Sequence, residues 1–140
     1  MKAAKMAAAP SIAPILLIED EASVAAFVRA ALERRGYCVV PSPSAADGLR
    51  LLETRDFCGV ISDIRTPGGV SGADVHSWMR QHKPELLEHL IFITGDIANR
   101  ATAALLEESG APFVEKPFRV AQILSMVETT IGKPREHHDR

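Results

Sequence analysis

The chain reads as an α/β domain: a parallel five-stranded sheet built from five successive βα units. Two observations carry this. Short runs rich in Ile, Val and aromatics (15–18, 37–40, 58–62, 90–94 and 112–115) are apolar at successive positions, as strands buried on both faces are. Between them lie stretches with apolar residues at helical spacing, bounded by capping and stop residues. Regular βα alternation implies right-handed crossovers and an open twisted sheet, with functional groups outside the carboxyl ends of the strands.

Each helix has its own signature. Val24, Phe27, Val28 and Ala31 mark the first, stopped by Gly36. Ser44 caps a second carrying Ala45, Leu49 and Leu52, and Val75, Trp78 and Met79 mark the third. Ala98, Ala101 and Leu105 run to Gly110, and Val120, Ile123, Leu124, Val127 and Ile131 complete the series. Residues 1–14, with Pro10 and Pro14 and mostly Ala between, are read as a flexible N-terminal tail; 132–140 is read as a flexible C-terminal tail. The folded domain is placed at 15–131.

Composition limits the alternatives. At 140 residues, 46% hydrophobic and 24% charged, the chain makes one soluble domain with a real core. No apolar run approaches the roughly 18 residues of a membrane span, so a cytoplasmic setting is expected. The overall charge is −2, but residues 15–131 carry 11 basic and 16 acidic groups, net −5. An acidic domain does not bind nucleic acid through phosphate neutralisation. Cys38 and Cys58 form no CxxC pair and are read as buried, reduced thiols in strands. His137 and His138 are read as tail residues.

Four of the five strand ends present polar groups where the fold rule puts a site: Glu19 and Asp20, Asp63, Thr94, and Glu115-Lys116-Pro117. Singly each has an ordinary account. Asp20 suits a helix N-cap, Asp63 a turn, Thr94 a strand, and Lys116 a solvated loop. Jointly, Glu19, Asp20 and Asp63 make a self-repelling carboxylate cluster that calls for a hard divalent ion, and oxygen-only ligation suits Mg²⁺. Lys116 and the Thr94 hydroxyl add a point charge and a hydrogen bond suited to phosphoryl oxygens.

The segments ILLIEDE, VISDIRTPG followed by Gly72, IFITGD and FVEKPF, in this order and spacing, resemble the receiver domain of two-component response regulators over about residues 15–131. The resemblance implies a flavodoxin-like three-layer sandwich with strand order 2-1-3-4-5. It implies that Asp63 is the phosphoacceptor, taking its phosphoryl group from a sensor histidine kinase or histidine phosphotransfer domain. It also implies that Asp20, Asp63, the backbone carbonyl of Arg65 and, through water, Glu19 hold Mg²⁺. Thr94 and Lys116 then meet the phosphoryl oxygens, Phe113 is the aromatic switch, and Lys116-Pro117 is a cis peptide. The output face comprises helix four, strand five and helix five. The first helix, with Ala22, Ala26 and Ala30, is a docking surface for the phosphodonor's helix bundle.

Some positions admit two readings. Arg65 is either a solvated loop cation or a partner of Asp96 across the mouth of the site, tuning hydrolysis of the acyl phosphate. Phe113 lacks the hydroxyl often found at the switch, so it acts by packing or is simply core. Gly68, Gly69 and Gly72 lack GxGxxG spacing and are read as turn and flexibility residues. The chain is expected to be no enzyme beyond its own phosphorylation and dephosphorylation, with no output domain after Ile131 and an unidentified downstream protein as target. Competing functions are an unphosphorylated interaction module and a haloacid dehalogenase-like phosphatase. Asp63-Ile64-Arg65-Thr66 only superficially matches the latter's DxDxT motif, since Arg65 replaces the general acid.

Overall fold

The computed structural model describes residues 13–134. Five parallel strands, β1 (Ile15–Ile18), β2 (Val39–Ser42), β3 (Gly59–Asp63), β4 (Leu90–Thr94) and β5 (Phe113–Glu115), lie in the order β2-β1-β3-β4-β5. They alternate with α1 (Ala22–Arg34), α2 (Ala45–Thr54), α3 (Gly72–His82), α4 (Arg100–Ser109) and α5 (Val120–Thr130). The fold is therefore the flavodoxin-like (βα)5 sandwich with order 2-1-3-4-5. Residues 1–12 and 135–140, most of the segments read as tails at 1–14 and 132–140 and including His137 and His138, lie outside the described residues.

The sheet divides the core into two. Because strand side chains alternate, Ile15 and Leu17 face one way with Val28 and Leu32 of α1 and Ile123 and Val127 of α5. Leu16 and Ile18 face the other, with Leu52 of α2, Val75 and Met79 of α3 and Leu105 of α4. β1, β3 and β4 are fully buried along their lengths. Each completely buried Leu, Ile or Val contributes about 1.5–3 kcal/mol relative to exposure. The three central strands thus form the rigid platform at whose carboxyl ends the polar residues sit.

Several boundaries differ from the sequence reading. β2 runs 39–42 instead of 37–40, continuing through Pro41. A proline fits because β2 is an edge strand whose outer side needs no N–H. Tyr37 instead closes α1 and donates its hydroxyl to Gly132 O at 2.6 Å, tying the chain after α5 to the α1–β2 turn. A 3-10 turn, Pro84–His89, precedes β4 and buries Leu86. Helix α4 starts at Arg100 and excludes Ala98, because the Asn99 side chain accepts the Thr102 N–H at 3.1 Å and caps the helix there. Its buried residues are Thr102 and Leu105, not Ala98 and Ala101.

Other assignments are corrected too. The N-cap of α1 is Glu21, not Asp20. Phe27, placed in the core stripe by spacing, is 45% exposed and leans toward Phe118, ring centroids 6.3 Å apart. β5 is covered on one face only, since Phe113 and Glu115 are exposed around buried Val114. Neither cysteine lies within a strand, and Cys38 is exposed where burial was expected. Cys58 is half-buried, and burial pushes its thiol pKa up. Both cysteines are free.

Gly72, read from sequence as a flexibility residue, is a close-approach residue. A Cβ there would lie 2.9 Å from Ile64 Cα, 3.1 Å from Phe92 Cε1 and 3.2 Å from Asp63 O. Its absence lets α3 begin directly against the end of β3, where Gly72 N donates to Ile64 O at 2.7 Å. Gly68 and Gly69 do form the turn, at φ +94° and +80°. Gly72→Ala is expected to lower stability by about 1–3 kcal/mol through overpacking against backbone, measured by urea unfolding. Gly95→Ala, with nothing within 4 Å of the added carbon, should stay within about 0.5 kcal/mol of wild type.

Candidate functional site: an acidic pocket around Lys116

The register of the sheet assembles the site. Ile18 is level with Ser62 across β1 and β3, Asp63 with Ile93 across β3 and β4, and Thr94 with Glu115 across β4 and β5. The residues just beyond these levels, Glu19, Asp20, Asp63, Thr94 and Lys116, therefore converge at one rim. Glu19, Asp20 and Asp63 each place a carboxylate oxygen within 4.8 Å of the others. Glu19 and Asp63 are buried, at 2% and 5% exposure, and Asp20 is open to solvent.

Lys116 is the hub. Its Nζ lies 3.0 Å from Asp63 Oδ2, 3.1 Å from Glu19 Oε1, 3.2 Å from Glu19 Oε2 and 2.7 Å from Glu21 Oε1. It is the residue on the N-terminal side of the cis peptide Lys116-Pro117, and its own N–H donates to Thr94 O at 2.8 Å, tying the strand-five end to the strand-four end. Partial burial works to depress the ammonium's pKa. Hydrogen bonds to Glu21, Asp63 and Glu19 outweigh it and hold the pKa above that of a free lysine.

Glu19 is under the opposite strain. Burial, assisted by the Asp63 charge, pushes its pKa up against the pull of the Glu21 N–H, 2.9 Å from Oε2, and of Lys116. Its Oε1 has no hydrogen-bond partner: the Lys116 ammonium is near but out of line. A buried carboxylate oxygen left open beside two other carboxylates fits a hard cation, and the all-oxygen donor set is of the kind Mg²⁺ takes.

The loops after β3 and β4 hold the remaining groups. Asp63 Oδ1 accepts the Arg65 N–H at 3.3 Å, and Ser62 Oγ donates to Asp63 O at 2.9 Å. Thr66, not singled out from sequence, accepts the Ala45 N–H at 3.1 Å and donates to Val70 O at 2.9 Å, bracing this loop on the start of α2. Thr94 is buried, and its hydroxyl oxygen accepts the Asp96 N–H at 3.1 Å, leaving the hydroxyl proton available. Phe113 is 40% exposed and is not a core residue in this conformation.

Two expectations change here. Arg65 and Asp96 form no ion pair among the described residues; both are exposed, on separate loops. Coulomb attraction between two solvent-exposed side chains is too weak to fix such a contact. Glu21, whose place in the Lys116 cluster the sequence reading missed, joins it at the shortest distance. The signal was present in the acidic triplet Glu19-Asp20-Glu21, but helix spacing alone does not say which way an N-cap side chain turns.

A parallel α/β sandwich whose strand ends bring three carboxylates, a buried hydroxyl and a lysine to one rim has the architecture of a receiver fold. The family model "Response regulator receiver domain" matches residues 15–128. The chain belongs to the receiver domain family of two-component response regulators. It is similar to the transcriptional regulatory protein FixJ of Azorhizobium caulinodans, 28% identical over 127 residues, 91% of this chain and 59% of that protein. It is also similar to the CAI-1 autoinducer sensor kinase/phosphatase CqsS of Vibrio cholerae, 31% identical over 74% of this chain and 15% of that protein. The chain therefore spans less than two thirds of either relative. The non-phosphorylated HemR receiver domain of Leptospira biflexa superposes with a TM-score of 0.74 at 27% identity, covering 90% of this chain and 99% of that one. Among the described residues no helix is long and apolar enough to cross a membrane.

The raised pKa of Glu19 has a definite sign in stability. A carboxylate whose pKa is higher folded than unfolded contributes stability that is complete below the ordinary carboxylate range and is lost as pH rises through the folded value. Without divalent cation, Glu19→Gln is therefore expected to be more stable than wild type at pH 7, with the difference shrinking as pH falls toward 4. Thermal unfolding in EDTA across that range measures it.

Proposed function

We propose that this chain accepts a phosphoryl group on Asp63 from the phosphohistidine of a sensor kinase or phosphotransfer domain and signals by changed protein contacts. The observation that carries the reading is the Lys116 ammonium 3.0 Å from Asp63 Oδ2, in a pocket of further carboxylates. Glu19, Asp20, Asp63 and the backbone carbonyl of Arg65 are the groups we assign to Mg²⁺. When bound, the ion neutralises negative charge on the transferring group.

The protein's own groups do the rest. Asp63, nearly buried, presents a carboxylate oxygen that attacks phosphorus as the bond to the donor imidazole breaks, and the imidazole leaves with the electron pair. Hydrogen bonds from the Arg65 N–H and Lys116 orient that carboxylate before transfer. Lys116 turns its donors to the phosphoryl oxygens and offsets their charge. Thr94 donates its free hydroxyl proton to the same group, drawing the loop after β4 inward. Phe113, outward at rest, follows into the space vacated behind Thr94.

The α4–β5–α5 face then changes shape and binds a downstream protein; the exposed switch residue lies on it. The first helix offers Ala22, Ala26 and Ala30, all exposed, along a groove that reaches Glu19 and Asp20. Small side chains there let a phosphodonor helix approach closely. The chemistry confines the chain's catalysis to its own aspartate, and the inferred setting is the cytoplasm.

Incubation with acetyl phosphate and Mg²⁺ is expected to label the protein, seen as a shifted band on phosphate-affinity gels. Asp63→Asn or EDTA should reduce labelling at least about 100-fold, since nucleophile and charge neutralisation are each indispensable. Labelling that persists in Asp63→Asn overturns the assignment.

A further inference from the structure

Lys116 carries three N–H donors, and its hydrogen-bond partners are three carboxylates: Glu21 at 2.7 Å, Asp63 at 3.0 Å and Glu19 at 3.2 Å. A phosphoryl oxygen at Asp63 therefore finds the ammonium already committed, and one of the three bonds must open before Lys116 can serve it. The three are not equally able to open. Glu19 is buried and held by the Glu21 N–H. Asp63 is buried and is itself the acceptor. Glu21 has a side chain 57% exposed, so its carboxylate regains water on release at little cost.

A second, independent feature marks the same residue. Glu21 occupies the N-cap of α1, a position the shorter Asp, Asn, Ser or Thr side chains favour, and its longer side chain makes no capping bond and reaches across to Lys116 instead. It also adds a negative charge to a pocket that must admit an anionic donor, without belonging to the three-carboxylate cluster suited to a cation.

We infer that Glu21 is a latch that holds Lys116 in the resting state and sets the rate at which Asp63 is phosphorylated. This rests on the phosphoacceptor reading above. Glu21 touches neither phosphorus nor the attacking oxygen; it is a positioning residue that acts through Lys116. In the reaction with acetyl phosphate, an Asp63 carboxylate oxygen bonds to phosphorus, the bond from phosphorus to the acetyl oxygen breaks, and acetate departs with the electron pair. As the phosphoryl group arrives, the Lys116–Glu21 bond is replaced by a Lys116–phosphoryl bond, and Glu21 turns to solvent.

The test is the initial rate of acetyl phosphate labelling at saturating Mg²⁺ for wild type, Glu21→Gln, Glu21→Asp and Asp63→Asn, with melting temperatures alongside. The latch predicts labelling about 2- to 5-fold faster in Glu21→Gln, the range set by a partly exposed ion pair. Glu21→Asp should also be faster than wild type, because it keeps the charge but falls a methylene short and is free to cap α1. Melting temperatures should be close to wild type, since the exposed side chain packs no core. Equal rates in wild type and Glu21→Gln, with Asp63→Asn blank, overturn the latch and leave the phosphoacceptor reading standing. A fast Glu21→Gln with a wild-type Glu21→Asp overturns it in favour of simple charge repulsion. A wild type that takes no label overturns both.

Discussion

Everything at the working end of this molecule depends on how much negative charge one ammonium can hold. Glu19, Glu21 and Asp63 converge on Lys116 Nζ within 3.2 Å, and Asp20 stands beside them. One cation among four carboxylates leaves the pocket strongly acidic. Burial makes that excess more costly, as the raised pKa of Glu19 and the open hydrogen-bonding position of its Oε1 record. The donor set of such a pocket is of the kind a hard divalent ion takes.

The platform has to be stiff to sustain such a concentration of charge. The three central strands are buried on both faces, and their carboxyl ends are level to within a residue, so the carboxylates cannot move apart without breaking the ladder. Gly72 lets α3 start against the backbone of Asp63 and Ile64, while Thr66 braces the same loop on α2. On the other side the arrangement is looser. The Thr94 hydroxyl is engaged by the Asp96 N–H alone, α4 buries only Thr102 and Leu105, and Phe113 is 40% exposed. The β1–β3 side of the site is thus packed more tightly than the β4–β5 side.

Relatives similar to this chain include a transcriptional regulatory protein and a sensor kinase/phosphatase, both much longer. Sequences similar to this receiver domain thus occur in proteins of different kinds.

Local patterns were enough for the order of elements, the stop at Gly110, the Ser44 cap and the gathering of Glu19, Asp20, Asp63, Thr94 and Lys116 at strand ends. Apolar spacing, capping chemistry and strand-end position are properties of a few neighbouring residues, so they can be read along the chain. The extent of β2 through Pro41, the solvent exposure of Cys38, Phe27 and Phe113, the close approach at Gly72 and the failure of Arg65 to meet Asp96 could not. Each depends on which elements lie beside one another: an edge strand tolerates proline, and a helix face left uncovered exposes its phenylalanine. The sequence by itself determined the fold class and the chemical groups of the pocket. Only the tertiary structure decided that Glu21 turns from its helix to Lys116, because that choice is made by a charge 95 residues away.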